Sequence, residues 1–229
     1  MKFYVVIPAR YDSSRFPGKV LTEIGSKTML EHVFDNAMKS SASKVFIATD
    51  SNRVLHEAQK FTENVFMTSD NNINGTERIA ELSKILDWPD ETLVINLQAD
   101  MPQLQCDNID FLADKAKNNS GLSTLYYDLQ SSESKIDTNT VKICINNNHI
   151  SFCREVGSAD KGDIFKHIGI YAYHVRDLKG YIKLKQSSNE KDLSLEQYRF
   201  VDNGYNISAY FALSDPGASI DSLDNLNQL

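Results

Sequence analysis

Along the first hundred positions, apolar runs and amphipathic stretches alternate at short intervals. Phe3-Tyr4-Val5-Val6-Ile7 is apolar without a break, the pattern of a strand buried on both faces of a parallel sheet. Thr28-x-x-Glu31 has the form of a capping box and predicts a helix through about Lys39. Residues 44–48 predict a second strand, and Asp50 is placed to cap a helix over 51–61. A short strand at 65–67, a helix from Thr76 to about Leu86 and a strand at 92–96 follow. This β-α-β-α-β-α-β order implies an α/β fold with a mostly parallel sheet and helices on both faces. After Gly121 the pattern turns to hairpin material at 122–127, 141–145 and 149–153, the last two flanking the turn Asn146-Asn147-Asn148. Residues 121–215 are expected to form a lobe around the sheet's far end.

Composition narrows the function classes. Hydrophobic residues make up 41% and charged residues 24%, ordinary values for a soluble globular chain. No apolar run approaches the roughly 18 residues that span a bilayer. The N-terminal run, closed by Pro8 and Arg10, is too short for a signal-peptide core, so a cytoplasmic protein is expected. Cys106, Cys144 and Cys153 form no C-x-x-C pair and read as reduced, half-buried small hydrophobes. A net charge of -7 argues against a general nucleic-acid binder, yet leaves room for a small polyanion if positive charge is concentrated locally.

The loop leaving the first strand concentrates it. Within Pro8–Lys19, Arg10, Arg15 and Lys19 are opposed only by Asp12, and Ser13, Ser14 and Gly18 add hydroxyls and an approachable backbone. A triphosphate needs this mixture of forked guanidinium donors, an ammonium and backbone N–H groups; a solvated basic turn fits the composition equally well. Two other phosphate loops fail. No G-x-G-x-x-G follows the first strand, and in Gly25-Ser26-Lys27-Thr28 a serine separates glycine from lysine while Val20 stands where the P-loop's first glycine belongs.

The segment IPARYDSSRFPGKVL resembles the I-P-A-R-x-x-S-x-R-x-P-G-K-x-L signature of the 3-deoxy-manno-octulosonate (Kdo) cytidylyltransferases. The related sialate enzymes carry Lys for the second Arg and Asn after the last Lys. Collinear matches continue through Ala48-Thr49-Asp50, Met67-Thr68, Gly75-Thr76-Glu77-Arg78, Gln98-Ala99-Asp100-Met101-Pro102, Val141-Lys142, Phe152-Cys153-Arg154, His167-Ile168-Gly169-Ile170-Tyr171, Leu195-Glu196-Gln197-x-Arg199 and Ile220-Asp221. They cover nearly the whole chain.

This resemblance implies a fold of the nucleotide-diphospho-sugar transferase type, Rossmann-like, with a nucleotide-binding half over 1–120. It implies a smaller mixed β/α sugar-binding and dimerisation lobe over 121–215 and a C-terminal segment, 216–229, returning to the nucleotide half. It further implies transfer of CMP from CTP to the anomeric hydroxyl of Kdo, for lipopolysaccharide biosynthesis, by a homodimer. Arg10, Ser13, Arg15 and Lys19 would hold the phosphates, with Gly75, Thr76 and Arg78 also facing the nucleotide. Asp100 and Asp221 would bind Mg²⁺, which suits a cation using few carboxylates; Asp221 could also be the N-cap of a helix beginning at Ser222, a role compatible with metal binding. Lys19, Asp100 and Asp221 would be catalytic. Arg154 would take the sugar's carboxylate, and Gln98, His167, Tyr171, Glu190, Glu196 and Gln197 its hydroxyls.

Four departures from the family pattern stand out: Ala99 for Gly, Met101 for an acid, Leu193 for Glu, and a shorter stretch over 155–166. A Cβ at position 99 costs about 1 kcal/mol if the backbone there has positive φ. The nucleotide and metal pattern is intact while the sugar pattern is worn. Transfer to Kdo, transfer to a modified ulosonate such as an amino-Kdo or sialate-like acid, and a CTP-binding homologue without turnover all remain open.

Overall fold

The computed structural model describes residues 2–12, 16–129, 137–147, 149–157 and 162–220. Strand β1 (Phe3–Ala9) leads through a single 3-10 turn (Lys19–Leu21) and a small ribbon, β2 (Glu23–Ile24) with β3 (Lys27–Thr28), into α1 (Met29–Met38). Then come β4 (Lys44–Thr49), α2 (Asn52–Ala58), β5 (Val65–Met67), α3 (Gly75–Ile85), β6 (Leu93–Leu97) and α4 (Cys106–Ala116). The second half supplies β7 (Leu122–Tyr127), β8 (Lys142–Asn146), β9 (His149–Cys153), β10 (Asp163–His174), α5 (Val175–Tyr181), α6 (Ser188–Leu193), α7 (Tyr198–Asp202) and β11 (Ile207–Phe211).

One sheet runs in the order β11-β7-β10-β6-β1-β4-β5, with the β8–β9 hairpin branching from β10. Strands β6, β1, β4 and β5 are parallel, β10 is antiparallel to both β6 and β7, and β11 is parallel to β7. The main run of the α/β sheet is therefore mostly parallel with β10 reversed inside it, and in the branching hairpin β9 runs in the same reversed direction. Residues after Gly121 contribute β7, β10 and β11 to this same sheet, and β10 lies directly beside β6.

Alternation along β1 explains the layers. Val5, Ile7 and Ala9 enter a core with α1 and α4, while Val6 faces the opposite core with α3, α5 and Trp88. A third cluster, around Ile143, Phe152, Leu195 and Tyr198, packs the β8–β9 hairpin against α6 and α7. Thr28 caps α1 by accepting the Glu31 N–H at 3.2 Å, as the capping box predicts. Asp50 does not cap α2. The N-cap is Ser51 without a side-chain bond, because the Asp50 carboxylate is drawn to arginines instead. Cys144 and Cys153 are buried and Cys106 is half-buried. Among the described residues no helix is long and apolar enough to cross a membrane.

Candidate active site

The parallel strands β1 and β6 end side by side, and the loops leaving them carry the chemistry. Gly18 has φ 75°, its N–H donates to the Tyr11 carbonyl at 2.8 Å, and a Cβ there would meet the Tyr11 ring at 3.3 Å. Glycine is thus required to fold the basic loop back on itself. Arg53 fixes the same corner by donating to the Tyr11 hydroxyl at 2.7 Å. Lys19, next in sequence, is buried and sends Nζ to Asp100 Oδ2 at 2.8 Å. Asp100 sits just past β6, its side chain 25% exposed.

Asp100 lines a cavity of about 1010 Å³. All seven residues assigned to the sugar line this same cavity: Gln98, Arg154, His167, Tyr171, Glu190, Glu196 and Gln197. From the nucleotide set, Gly75 lines it as well. Residues 215–219 form part of the wall, and the Ile220 N–H donates to the Asp100 carbonyl at 2.9 Å. Ser13, Arg15 and Asp221 lie outside the described residues. Asp100 offers a hard carboxylate oxygen at the cavity, a donor that fits magnesium.

Three assignments change once side chains are placed. Arg78 is fully buried and does not line the cavity, because its guanidinium donates to Asp50 at 2.5 Å and to the Thr68 hydroxyl at 2.6 Å. Burial pulls its pKa down and Asp50 opposes the shift. Asp50 also meets exposed Arg10, 3.4 Å away, so Arg78 lies beneath the basic loop, joined to it through Asp50, rather than facing the cavity. Thr76 is likewise buried, its N–H donated to Glu196 Oε2 at 3.0 Å. Glu190 borders the cavity, but both its oxygens accept from Arg199, at 2.6 and 2.8 Å, so it is a structural ion-pair partner rather than an open hydroxyl ligand.

The sugar-side residues have distinct electrostatics. The hydroxyl of Thr124 meets the carbonyl of Ile170 at 2.8 Å and His167 Nε2 at 3.0 Å. With one proton, given to the carbonyl, the hydroxyl accepts from the ring, which places the imidazole proton on Nε2. Burial lowers the His167 pKa to about 3, leaving the ring neutral. A bulge in β10 between Ile168 and Tyr171 breaks the ladder beside these groups. Tyr171, its pKa pushed up by burial, donates to Gln197 Oε1 at 3.1 Å, while buried Gln197 Nε2 has no hydrogen-bond partner among the described residues. Burial also raises the Glu196 carboxyl, with Thr76 pulling the other way. Arg154 spends Nε on the Leu193 carbonyl at 2.6 Å and further N–H groups on the Thr138 and Ser194 carbonyls.

The departures acquire explanations. Ala99 is not in the left-handed region, so its Cβ carries no backbone strain. Met101 is buried at the cavity wall, its sulfur 4.0 Å from where a Cβ on Gly169 would lie. Leu193 packs into the third cluster, and its backbone rather than its side chain serves the site by holding Arg154. Asn74 caps α3 by accepting the Glu77 N–H at 2.9 Å. Sequence reasoning missed Asn139, Thr140, Lys166 and Lys191, which also line the cavity. Only Lys166, adjacent to the His167 motif, carried a signal that could have found it.

Strand ends bearing a lysine–carboxylate pair beside a polar cavity are the arrangement of an α/β enzyme's ligand site. Residues 4–207 match the family model described as cytidylyltransferase, and the chain belongs to that family. It is 38% identical to a 3-deoxy-manno-octulosonate cytidylyltransferase of Pseudoalteromonas translucida, over 99% of this chain and 95% of that one. A Haemophilus influenzae protein of the same name is 34% identical over 100% of this chain and 97% of its own. A solved CMP:2-keto-3-deoxy-manno-octonic acid synthetase complexed with CTP superposes with a TM-score of 0.87 at 32% identity, covering 100% of this chain and 96% of that one. A cytidylyltransferase from Leptospira borgpetersenii, at 15% identity and TM-score 0.64 over 98% of this chain and 82% of its own, shares the fold.

Proposed function

We propose that this chain transfers CMP from CTP to the anomeric hydroxyl of 3-deoxy-manno-octulosonate and releases pyrophosphate. The observation that carries the reading is one cavity in which Asp100, paired with Lys19, meets every residue assigned to the sugar. Membership of the cytidylyltransferase family and the names of its relatives support it.

In this reading Arg10, Ser13, Arg15 and Lys19 hold the phosphates, and the sugar hydroxyl attacks the α-phosphorus in line with the departing pyrophosphate. Lys19 and Arg10 stabilise charge as it develops, which is usually the largest single source of rate acceleration in such transfers. Asp100 and Asp221 would hold Mg²⁺, which when bound neutralises phosphate charge and lowers the pKa of the attacking hydroxyl. Neutral His167 turns its unprotonated Nδ1 to a sugar hydroxyl without adding charge. Glu196, Gln197 and Tyr171 orient the remaining hydroxyls, and Arg154, on the cavity wall, carries the positive charge that faces the carboxylate.

A homodimer belongs to the same reading. Edge strand β11 ends in exposed Phe211, whose ring contacts Tyr126, Tyr127 and Phe165, an aromatic patch on the edge of the sheet.

The test is product identification with CTP, Mg²⁺ and a panel of ulosonates. CMP-Kdo and pyrophosphate are expected in equal amounts, with Kdo preferred over amino-Kdo and sialate. Tight CTP binding without pyrophosphate release from any sugar would overturn the enzyme reading. Preference for another ulosonate would overturn the Kdo assignment alone.

A further inference from the structure

The two substrate sides of the cavity come from segments far apart in sequence, the first turn of α3 and the α6–α7 region. Arg199 joins them. Buried on α7, its guanidinium grips Glu190 of α6 through Nε and Nη2, and Nη1 donates to Glu77 of α3 at 2.8 Å. The Tyr181 ring lies under the same guanidinium, 4.3 Å from its central carbon, and the Tyr181 hydroxyl accepts from Asn74 at 2.8 Å. Asn74 also donates to Glu190 at 3.3 Å, and the Thr76 N–H donates to Glu196. Glu77 accepts the Ile73 N–H at 2.9 Å, so Arg199 grips the carboxylate that shapes residues 73–77. Arg199 itself does not line the cavity, whereas Asn74, Gly75, Glu190, Glu196 and Gln197 do.

We infer that Arg199 is a positioning residue that locks the nucleotide-side turn of α3 and the sugar-side α6–α7 segment into one geometry, so that both substrates are held in register. The planar fork suits this task because three of its N–H groups reach two carboxylates on different helices at once, which a lysine ammonium cannot do at the same span. A buried charge held on both sides has two discrete outcomes, in place or lost, which makes the junction sensitive to one substitution.

This inference rests on reading residues 74–77 and 190–197 as opposite sides of one transferase site. Two readouts separate it from that reading: amide hydrogen exchange of segment 73–77 in the unliganded protein, and the Michaelis constants for CTP and Kdo. Arg199→Lys is expected to speed exchange at 73–77 at least tenfold and to raise both KM values at least threefold, with kcat within twofold. Glu77→Gln, which weakens only the α3 arm, is expected to raise KM for CTP at least threefold and leave that for the sugar unchanged. Unchanged exchange at 73–77, or a loss confined to kcat, would overturn the role. Should Arg199→Lys fail to fold, Glu77→Gln decides by the same two readings. If the unsubstituted protein releases no pyrophosphate, the transferase reading falls, and the exchange rates still judge Arg199.

Discussion

His167 enters the fold without charge, and this has a cost in acid. Its pKa falls from 6.5 to about 3 because burial disfavours the imidazolium. Between these values the unfolded chain binds a proton that the native state refuses, so stability drops as pH falls from about 6.5 towards 3. The slope from this one group approaches about 1.4 kcal/mol per pH unit inside the window. Denaturant titrations of His167→Gln should show a shallower acid limb than the unsubstituted protein, and an identical limb would mean the ring is protonated in the native state. The same scale explains why site roles were only partly legible in the sequence. Residue type and motif order brought the sugar-side set into one cavity, but they do not show which charges are already consumed. Arg78, inside a motif, and Glu190, outside the motifs, are both charged, yet each is neutralised inside the protein by Asp50 or Arg199. A motif records that a charge is needed, whereas only the packed structure records what it faces.

At the scale of elements, the periodic segments of the first half were legible and the reversed strand was not. β1, β4 and β6 are short, largely apolar and almost entirely buried, which fixes their character locally, while β5 is a three-residue edge strand legible from its apolar run. β10 is twelve residues long, pairs with three different strands and is broken by a bulge, so its alternation is interrupted where the site is built. Helix α4 was not predicted, although Ile109, Leu112, Ala113 and Ala116 on its buried face follow a helical period. The edge strand β11 is a liability unless it is covered, and Phe211 at 41% exposure marks where. If a second copy covers it, Phe211→Lys should convert a particle of two chains in light scattering to one of a single chain. A single-chain mass for the unsubstituted protein would rule the homodimer out.

At the scale of the whole molecule, the sheet places the basic loop after β1 and the carboxylate after β6 next to each other, and β10 delivers the sugar-side groups alongside them. The fold's α/β class and largely parallel order followed from the alternation of elements; the joining of distant segments at one cavity did not, because it depends on the returning C-terminal chain and on the ion network between α3, α6 and α7. Asp100 is where these parts converge: Lys19 holds its carboxylate, Ile220 holds its carbonyl and the cavity opens beside it. The most direct measurement is therefore Kdo-dependent pyrophosphate release by Asp100→Asn, made alongside CTP binding and far-UV circular dichroism. Asparagine keeps the shape and can still accept from Lys19, so the fold should be unchanged while turnover falls by a factor on the order of 100 or more. Turnover within a few-fold of the unsubstituted protein would contradict the role given to Asp100.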